Sequence, residues 1–296
     1  MKNTIYYCLF YDGMSGGHRI GMEHVHFLKE AGFDVSVVVP GGKIEWFKYK
    51  NFETIDYPEF FEKVLPEDWL MFCGIITDLP VIQEVKCNKL YLIQHYIYGE
   101  SLYFDLEGEA IVGADVLQDY FIKYYDKVVD CIPFGIRTKD FAYDGKSKKN
   151  NKVVAIRHNL WKGFIDRAVP DLYRQFDFDL LEKLSEDEVK QKLGEANIYV
   201  HLTAFEGFGL LPLEAMLKKA IVISCTEGLG KYAIDGVTYI KAKPEVDDII
   251  KCVRRVVDNR LTHDKMRQTA YEIALKYDWE HKKDRVIEFW KDKLNV

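Results

Sequence analysis

The chain has 296 residues, 48% of them hydrophobic, which is enough for two modest domains with a core each. Its formal net charge of −6 excludes a global basic field that would draw it to nucleic acid or an anionic membrane, although a local basic groove stays open. Six cysteines with no C-x-x-C pair, no evident signal peptide, and no apolar run near the ~18 residues of a spanning helix lead us to expect a cytoplasmic protein without disulfides.

The elements alternate from the start. Thr4–Tyr11 reads as a buried strand, Gly16-Gly17 opens a helix that runs to Ala31 and stops at Gly32, and Phe33–Pro40 is a second strand. Further strands are expected at Trp69–Cys73, Lys89–Gln94, Ala110–Gly113 and Val128–Pro133. Such strand–helix alternation implies a parallel sheet with helices on both faces. Asp115 and Asp119 lie one turn apart on a helix and read as a solvated face. The polar, lysine-rich stretch from Asp140 to Asn151 reads as a linker, with Lys146, Lys148 and Lys149 as solvated loop charges. The pattern then resumes: strands at Lys152–Ile156, Asn197–Leu202, Ile221–Cys225 and Val237–Lys241, and helices at Pro212–Lys219, Asp247–Asp258 and His263–Tyr277. No metal site is expected. There is no H-E-x-x-H, and the D-x-D spacing of Asp177-Phe178-Asp179 falls in a segment that reads as a loop or helix start.

The most informative stretch is Thr203–Met216. Glu206 and Glu214 lie eight positions apart, with Gly-Phe-Gly after the first and a helix starting before the second. Physically this is a strand end, a glycine-bearing turn and a helix N-terminus. Glycine lets a ligand approach the backbone. The free N–H groups of a first helical turn favour an anion such as a pyrophosphate. Two acceptor side chains flanking an anion cradle suit a ligand with hydroxyls on either side of a diphosphate, and a nucleotide sugar is such a ligand.

The line Glu206-Gly-Phe-Gly-Leu-Leu-Pro-Leu-Glu214-Ala-Met resembles, through eleven consecutive positions, the E-x7-E signature of retaining glycosyltransferases of the GT-B fold, family 4 in particular. The resemblance implies an α/β chain of two Rossmann-like domains facing across a cleft. Residues 1–139 would form the N-terminal, acceptor-side domain, with a crossing helix at 278–296 returned to it because Asp278-Trp279-Glu280 resembles the family's final S-W-E helix. Residues 140–277 would form the donor domain.

The same resemblance extends to other short elements. Arg157, at a strand end, and Lys162-Gly163 resemble the family's G-R-x…K-G element, which implies donor-phosphate binding and leaving-group stabilisation by two cations. Ile156 stands where the usual glycine would be, and His158 between the cations reads as incidental. Gly16 and Gly17, followed by Arg19, resemble a G-G-x-R-V loop near the donor phosphates or acceptor. His95, in Gln94-His95-Tyr96, sits where relatives carry His or Asp facing the sugar. The segment from Cys131 to Phe141 resembles the I-P-N-G-I-D-T line of the interdomain crossover, with Phe134 and Arg137 as departures.

The expected site therefore has Glu206, His95, Arg157 and Lys162 in catalytic roles. The donor would be bound by Gly16, Gly17, Arg157, Lys162, Glu206, Gly207, Phe208, Gly209, Leu210 and Glu214. No metal and no cofactor beyond the nucleotide-sugar co-substrate is implied. The transferred group would be a hexose or pentose and the acceptor a glycan or other hydroxyl. A modified DNA base stays open as a phage-type alternative, as do an inactive GT-B partner subunit, an epimerase or phosphorylase, and peripheral membrane contact.

Three further points stand as expectations. His201 ends a strand before the signature and fits either the site or a paired place in the core. The Thr226–Tyr232 glycine loop would line the cleft. Only 48 residues separate Arg157 from Glu206, so a βα unit is expected to be missing or compressed, and Lys219 replaces the glycine that usually ends the signature helix.

Overall fold

The protein is described from a computed structural model. It covers residues 3–74, 76–95, 100–145, 151–157, 161–259 and 263–295. Lys146, Lys148, Lys149, His158 and Tyr96, named above, lie outside these described residues. The chain divides into two compact units: Met1–Gly135 with Glu280–Val296, and Ile136–Trp279.

The first unit is built on β1 (Ile5–Cys8), α1 (Gly16–Glu30), β2 (Val35–Val38), β3 (Glu53–Ile55), α2 (Tyr57–Lys63), β4 (Trp69–Phe72), β5 (Asn88–Ile93), β6 (Glu109–Val112), α3 (Asp115–Tyr125) and β7 (Asp130–Cys131). Its seven strands run in the order β3-β2-β1-β4-β5-β6-β7, and every pairing is parallel. All four residues of β1 and of β2 are buried, as expected of strands covered on both faces. Ser15 caps α1 by accepting from the His18 amide at 3.1 Å. Gly32, in the left-handed region at φ 82°, marks where α1 ends.

The last helix, α9 (Lys283–Leu294), belongs to this unit. Its Trp290 is fully buried, donates from the indole N–H to the Tyr7 hydroxyl at 3.0 Å, and meets Trp69 edge-on at 6.1 Å. Aromatic pairs of this kind add about 0.5–1.5 kcal/mol each beyond the area they bury.

The second unit comprises β8 (Val153–Ile156), α4 (Lys162–Gln175), β9 (Phe178–Leu181), α5 (Glu186–Glu195), β10 (Ile198–His201), α6 (Leu210–Leu217), β11 (Ile221–Ser224), β12 (Ile240–Lys241), α7 (Val246–Asp258) and α8 (Asp264–Leu275). Its five-stranded sheet is also parallel, in the order β12-β11-β10-β8-β9. The core against one face is apolar throughout, from Val153, Ile198 and Ile223 on the strands to Phe164, Leu172 and Val253 on the helices.

One expectation needs correction here. Asp177-Phe178-Asp179 is neither a loop nor a helix start, because Phe178 and Asp179 open β9. Lys152, beside the first residue of β8, reaches Asp177 at 2.8 Å and Asp179 at 2.9 Å. The polar alternation is that of an edge strand with an ion-paired outer row. The 48 residues between Arg157 and Glu206 hold α4, β9, α5 and β10, and the sheet ends at β9 on that side.

At Lys219 the chain takes φ 57°, the left-handed conformation usually given to glycine. The Ala220 amide bonds back to Ala215 and the Lys219 amide to Met216, both at 2.9 Å. This is a Schellman closure made without glycine, at the cost of backbone strain.

Candidate functional site

In parallel sheets, ligands gather outside the carboxyl ends of strands where the strand order reverses. In the second unit that point lies between β8 and β10. Arg157 follows the end of β8, and the signature turn follows the end of β10. The fold therefore carries both sequence elements to one edge of the sheet.

The turn itself is tightly held. Phe205 and Glu227 form an isolated parallel bridge, with the Glu206 amide donating to the Glu227 carbonyl at 2.9 Å and the Glu227 amide to Ala204 at 3.1 Å. Gly209, at φ 80°, supplies the reversal into α6. The hydroxyl of the fully buried Tyr232 donates to the Phe208 carbonyl at 2.8 Å and contacts the Gly209 carbonyl. The Gly230 amide donates to Phe208 as well, at 2.9 Å. The Thr226–Tyr232 loop is thus the clamp on the signature turn. No side-chain oxygen caps α6, and no acidic residue stands in its first turn. The positive end of that helix is left for an outside anion.

Glu214 is 2% exposed on the second turn of α6, and the Glu206 side chain is 20% exposed in the turn. Both act on one buried group. Burial, and then the charges of Glu206 and Glu214, push the Tyr199 phenol well above its ordinary range. The Tyr232 phenol is raised by burial and then by Glu206. Each phenol therefore keeps its proton as a hydrogen-bond donor. The Glu206 carboxylate takes a 3.0 Å contact from His201 Nε2, whose Nδ1 lies 2.9 Å from the Tyr199 hydroxyl. Tyr199, Thr203 and Tyr232 were not among the expected site residues. The spacing of Tyr199, His201 and Thr203 by twos along a strand was the available signal.

The cations divide. Arg157 donates through Nη1 to Asp166 at 2.7 Å and through Nε to Glu182, and these hydrogen bonds raise it further above the usual guanidinium range. It is not a bare cation awaiting phosphate. Lys162 is exposed as the first residue of α4, and Gly163 beside it faces open space. A cavity of about 500 Å³ opens on the same unit, lined in part by Trp161, Ala204, Phe205 and Cys225.

The remaining expected residues belong to the first unit. Gly16 and Gly17 are the first two residues of α1. A Cβ on Gly17 would lie 1.7 Å from the Gln94 side-chain oxygen, so any larger residue there would displace the end of the side chain that follows β5. His95 follows β5 and is 8% exposed. Among the described residues, no cluster of three or more metal-binding side chains occurs and no helix is long and apolar enough to cross a membrane.

The two parallel-sheet units have the GT-B fold. Residues 171–273 match the family described as Glycosyl transferases group 1. The chain is 25% identical over 201 residues to an uncharacterized glycosyltransferase of Methanocaldococcus jannaschii, a match covering 65% of this chain and 51% of that protein. The chain thus spans about half the length of the curated relative it matches. Among solved structures, Anabaena HepE in complex with UDP-glucose superimposes with a TM-score of 0.75 at 13% identity, covering 98% of this chain and 99% of that one. The pneumococcal O-GlcNAc transferase GtfA, in complex with UDP and GlcNAc, does so with a TM-score of 0.66 at 10% identity, covering 99% of each.

Proposed function

We propose that the protein transfers a hexose or pentose from a nucleoside diphosphate sugar to an acceptor hydroxyl, with retention at the anomeric carbon. The observation that carries this reading is the turn at the head of α6. Two glutamates stand one in the turn and one on the helix, the helix N-terminus between them lacks a side-chain cap, and the whole lies at the strand-order reversal of a GT-B unit. Glu206 accepts from hydroxyls of the donor sugar, and Glu214 accepts from those of the ribose. The amides from Gly207 to Leu210 meet the diphosphate. Charge that builds on the leaving diphosphate is balanced by these amides, by Lys162 and by Arg157. For Arg157, phosphate contact means exchange with the surface carboxylates of Asp166 and Glu182, an exchange of one charge-assisted hydrogen bond for another. HepE and the pneumococcal enzyme, whose fold this chain shares, were each captured with a uridine nucleotide, which makes UDP-sugars the first donors to test.

The experiment is thermal stabilisation by UDP-, GDP-, ADP-, CMP- and dTDP-sugars, run on the native protein and on Glu214→Ala. A ligand at 100 times its Kd adds about 2.7 kcal/mol of native-state stability. One selective shift, lost in Glu214→Ala, supports the donor site. A folded protein that no donor stabilises, or a shift unchanged by the substitution, overturns it.

A further inference from the structure

The contacts behind Glu206 form a chain in which each proton can be placed. Thr226 has one hydroxyl proton, and it goes to the Thr203 carbonyl at 2.7 Å. The Thr226 oxygen can then only accept from the Thr203 hydroxyl, 3.1 Å away. That donation uses the only proton of Thr203, so its oxygen must accept from His201 Nε2, also at 3.1 Å. The other group facing Nε2 is the Glu206 carboxylate at 3.0 Å, which accepts and does not donate. Both neighbours of Nε2 therefore demand a proton on it. In the neutral ring Nδ1 is then the acceptor, and the Tyr199 hydroxyl stands 2.9 Å from it. His201, Thr203 and Thr226 are 1–2% exposed, as is Tyr199, so water does not compete for these bonds.

We infer that His201 is a positioning residue for the reaction: its Nε2–H holds one Glu206 oxygen in place at the signature turn, and Tyr199, Thr203 and Thr226 fix the tautomer that makes this contact. The inference rests on the reading of Glu206 as the acceptor for donor-sugar hydroxyls. A carboxylate in a turn would otherwise sample several rotamers, and a sugar would have to arrest it on binding. Anchoring one oxygen from within the core removes that cost before the donor arrives. The anchor is built into the strand: Tyr199, His201 and Thr203 alternate along one side of β10 and its extension, and Thr226 comes from the segment after β11. The effect should fall on the sugar portion of the donor, since Glu214 and the helix amides are separate groups.

Two measurements test it together. The first is the tautomer of His201 from long-range nitrogen–proton correlation spectra of the labelled protein, which needs no ligand. The expected result is a proton on Nε2; a ring protonated on Nδ1 alone overturns the inference whatever the donor proves to be. The second is calorimetric binding of UDP and of UDP-glucose to the native protein, His201→Leu and His201→Gln. His201→Leu should weaken UDP-glucose about tenfold while UDP stays within about twofold. His201→Gln, whose amide nitrogen can replace Nε2–H, should recover most of the loss. Equal losses for the two ligands, or equal behaviour of Leu and Gln, reduce His201 to a core residue and overturn the role. Should His201→Leu fail to fold, Tyr199→Phe replaces it and should show the same selective loss, smaller in size. A native protein with the proton on Nε2 that binds neither UDP nor UDP-glucose supports the anchor and refutes those donors.

Discussion

Two glycines of the second unit should respond to the same substitution with opposite signs. At Gly209 the backbone is left-handed, φ 80°, and a Cβ would stand 2.7 Å from both the Leu229 side chain and the Tyr232 hydroxyl. The Tyr232 hydroxyl is not free to retreat, because Tyr232 is fully buried and bonded to the carbonyls of the turn. Gly209→Ala then costs about 1–2 kcal/mol for the left-handed alanine and about 1–3 kcal/mol for overpacking. The sum, roughly 2–5 kcal/mol, corresponds to a fall in Tm of roughly 4–20 °C for a unit of this size. At Gly163, inside the first turn of α4, a Cβ meets nothing within 4 Å and the conformation is helical. Gly163→Ala should stabilise by about 0.4–1 kcal/mol, chiefly by narrowing the unfolded ensemble. The assay is scanning calorimetry on the two variants beside the native protein. A Gly209→Ala variant within 1 °C of native, or two variants that shift the same way, would refute this account of the turn.

Other outcomes follow from the same geometry. Burial holds the His24 imidazole down at about 4, against a contact from the Pro133 carbonyl that raises it. The unfolded chain takes that proton near 6.5 and the folded one only near 4, so stability is full above the upper value and is lost as pH falls through the window. The slope is about 1.4 kcal/mol per pH unit, and urea titrations between pH 6.5 and 5 should show native protein losing about 2 kcal/mol more than His24→Met. Lys152 is buried, which opposes its charge, yet its bonds to Asp177 and Asp179 outweigh that and raise it. Lys152→Met should cost about 1–3 kcal/mol, and a double-mutant cycle with Asp179→Asn should return a coupling near 1 kcal/mol; additive effects would discard the pairing. Tyr232→Phe strips a donor from the carbonyls of the signature turn. It should lower stability by about 1–3 kcal/mol and weaken whichever donor the thermal panel selects, and an unchanged donor affinity would separate the clamp from binding.

How much of this was legible in the sequence depends on whether the deciding contact was local. The ends of α1 were, since Gly16-Gly17 and Gly32 punctuate it. The strands β1, β2, β10 and β11 were, since a strand covered on both faces reads as a mostly apolar run. The edge elements were not. The acidic residues of β9 look like loop until Lys152, 25 residues earlier, is brought beside them. The helix α4 was missed with Pro170 inside it, a residue that ordinarily argues against helix, and α2 is only seven residues long. At the site, the signature line placed Glu206 and Glu214, because a turn and a helix head are local matters. The partners of Arg157 were not readable, because Asp166 and Glu182 reach it from α4 and from the end of β9. Nor was the clamp of Tyr232, which lies 23 residues beyond the Gly209 carbonyl it contacts.

The placement of α9 bears on the order in which the chain can be completed during synthesis. Tyr7 and Trp290 are 283 positions apart, yet they share a hydrogen bond in one buried cluster. The second unit, by contrast, is one uninterrupted segment from Ile136 to Trp279. Domains generally fold as units as they emerge from the ribosome. Here the later-made unit can close on its own sequence, while the earlier-made one must wait, with Tyr7 and Trp69 uncovered, for a helix translated only after the whole second unit. Through that interval the nascent first unit exposes apolar surface of the sort chaperones hold. A stop codon between residues 279 and 283 would therefore strike the unit synthesised earlier and spare the later one.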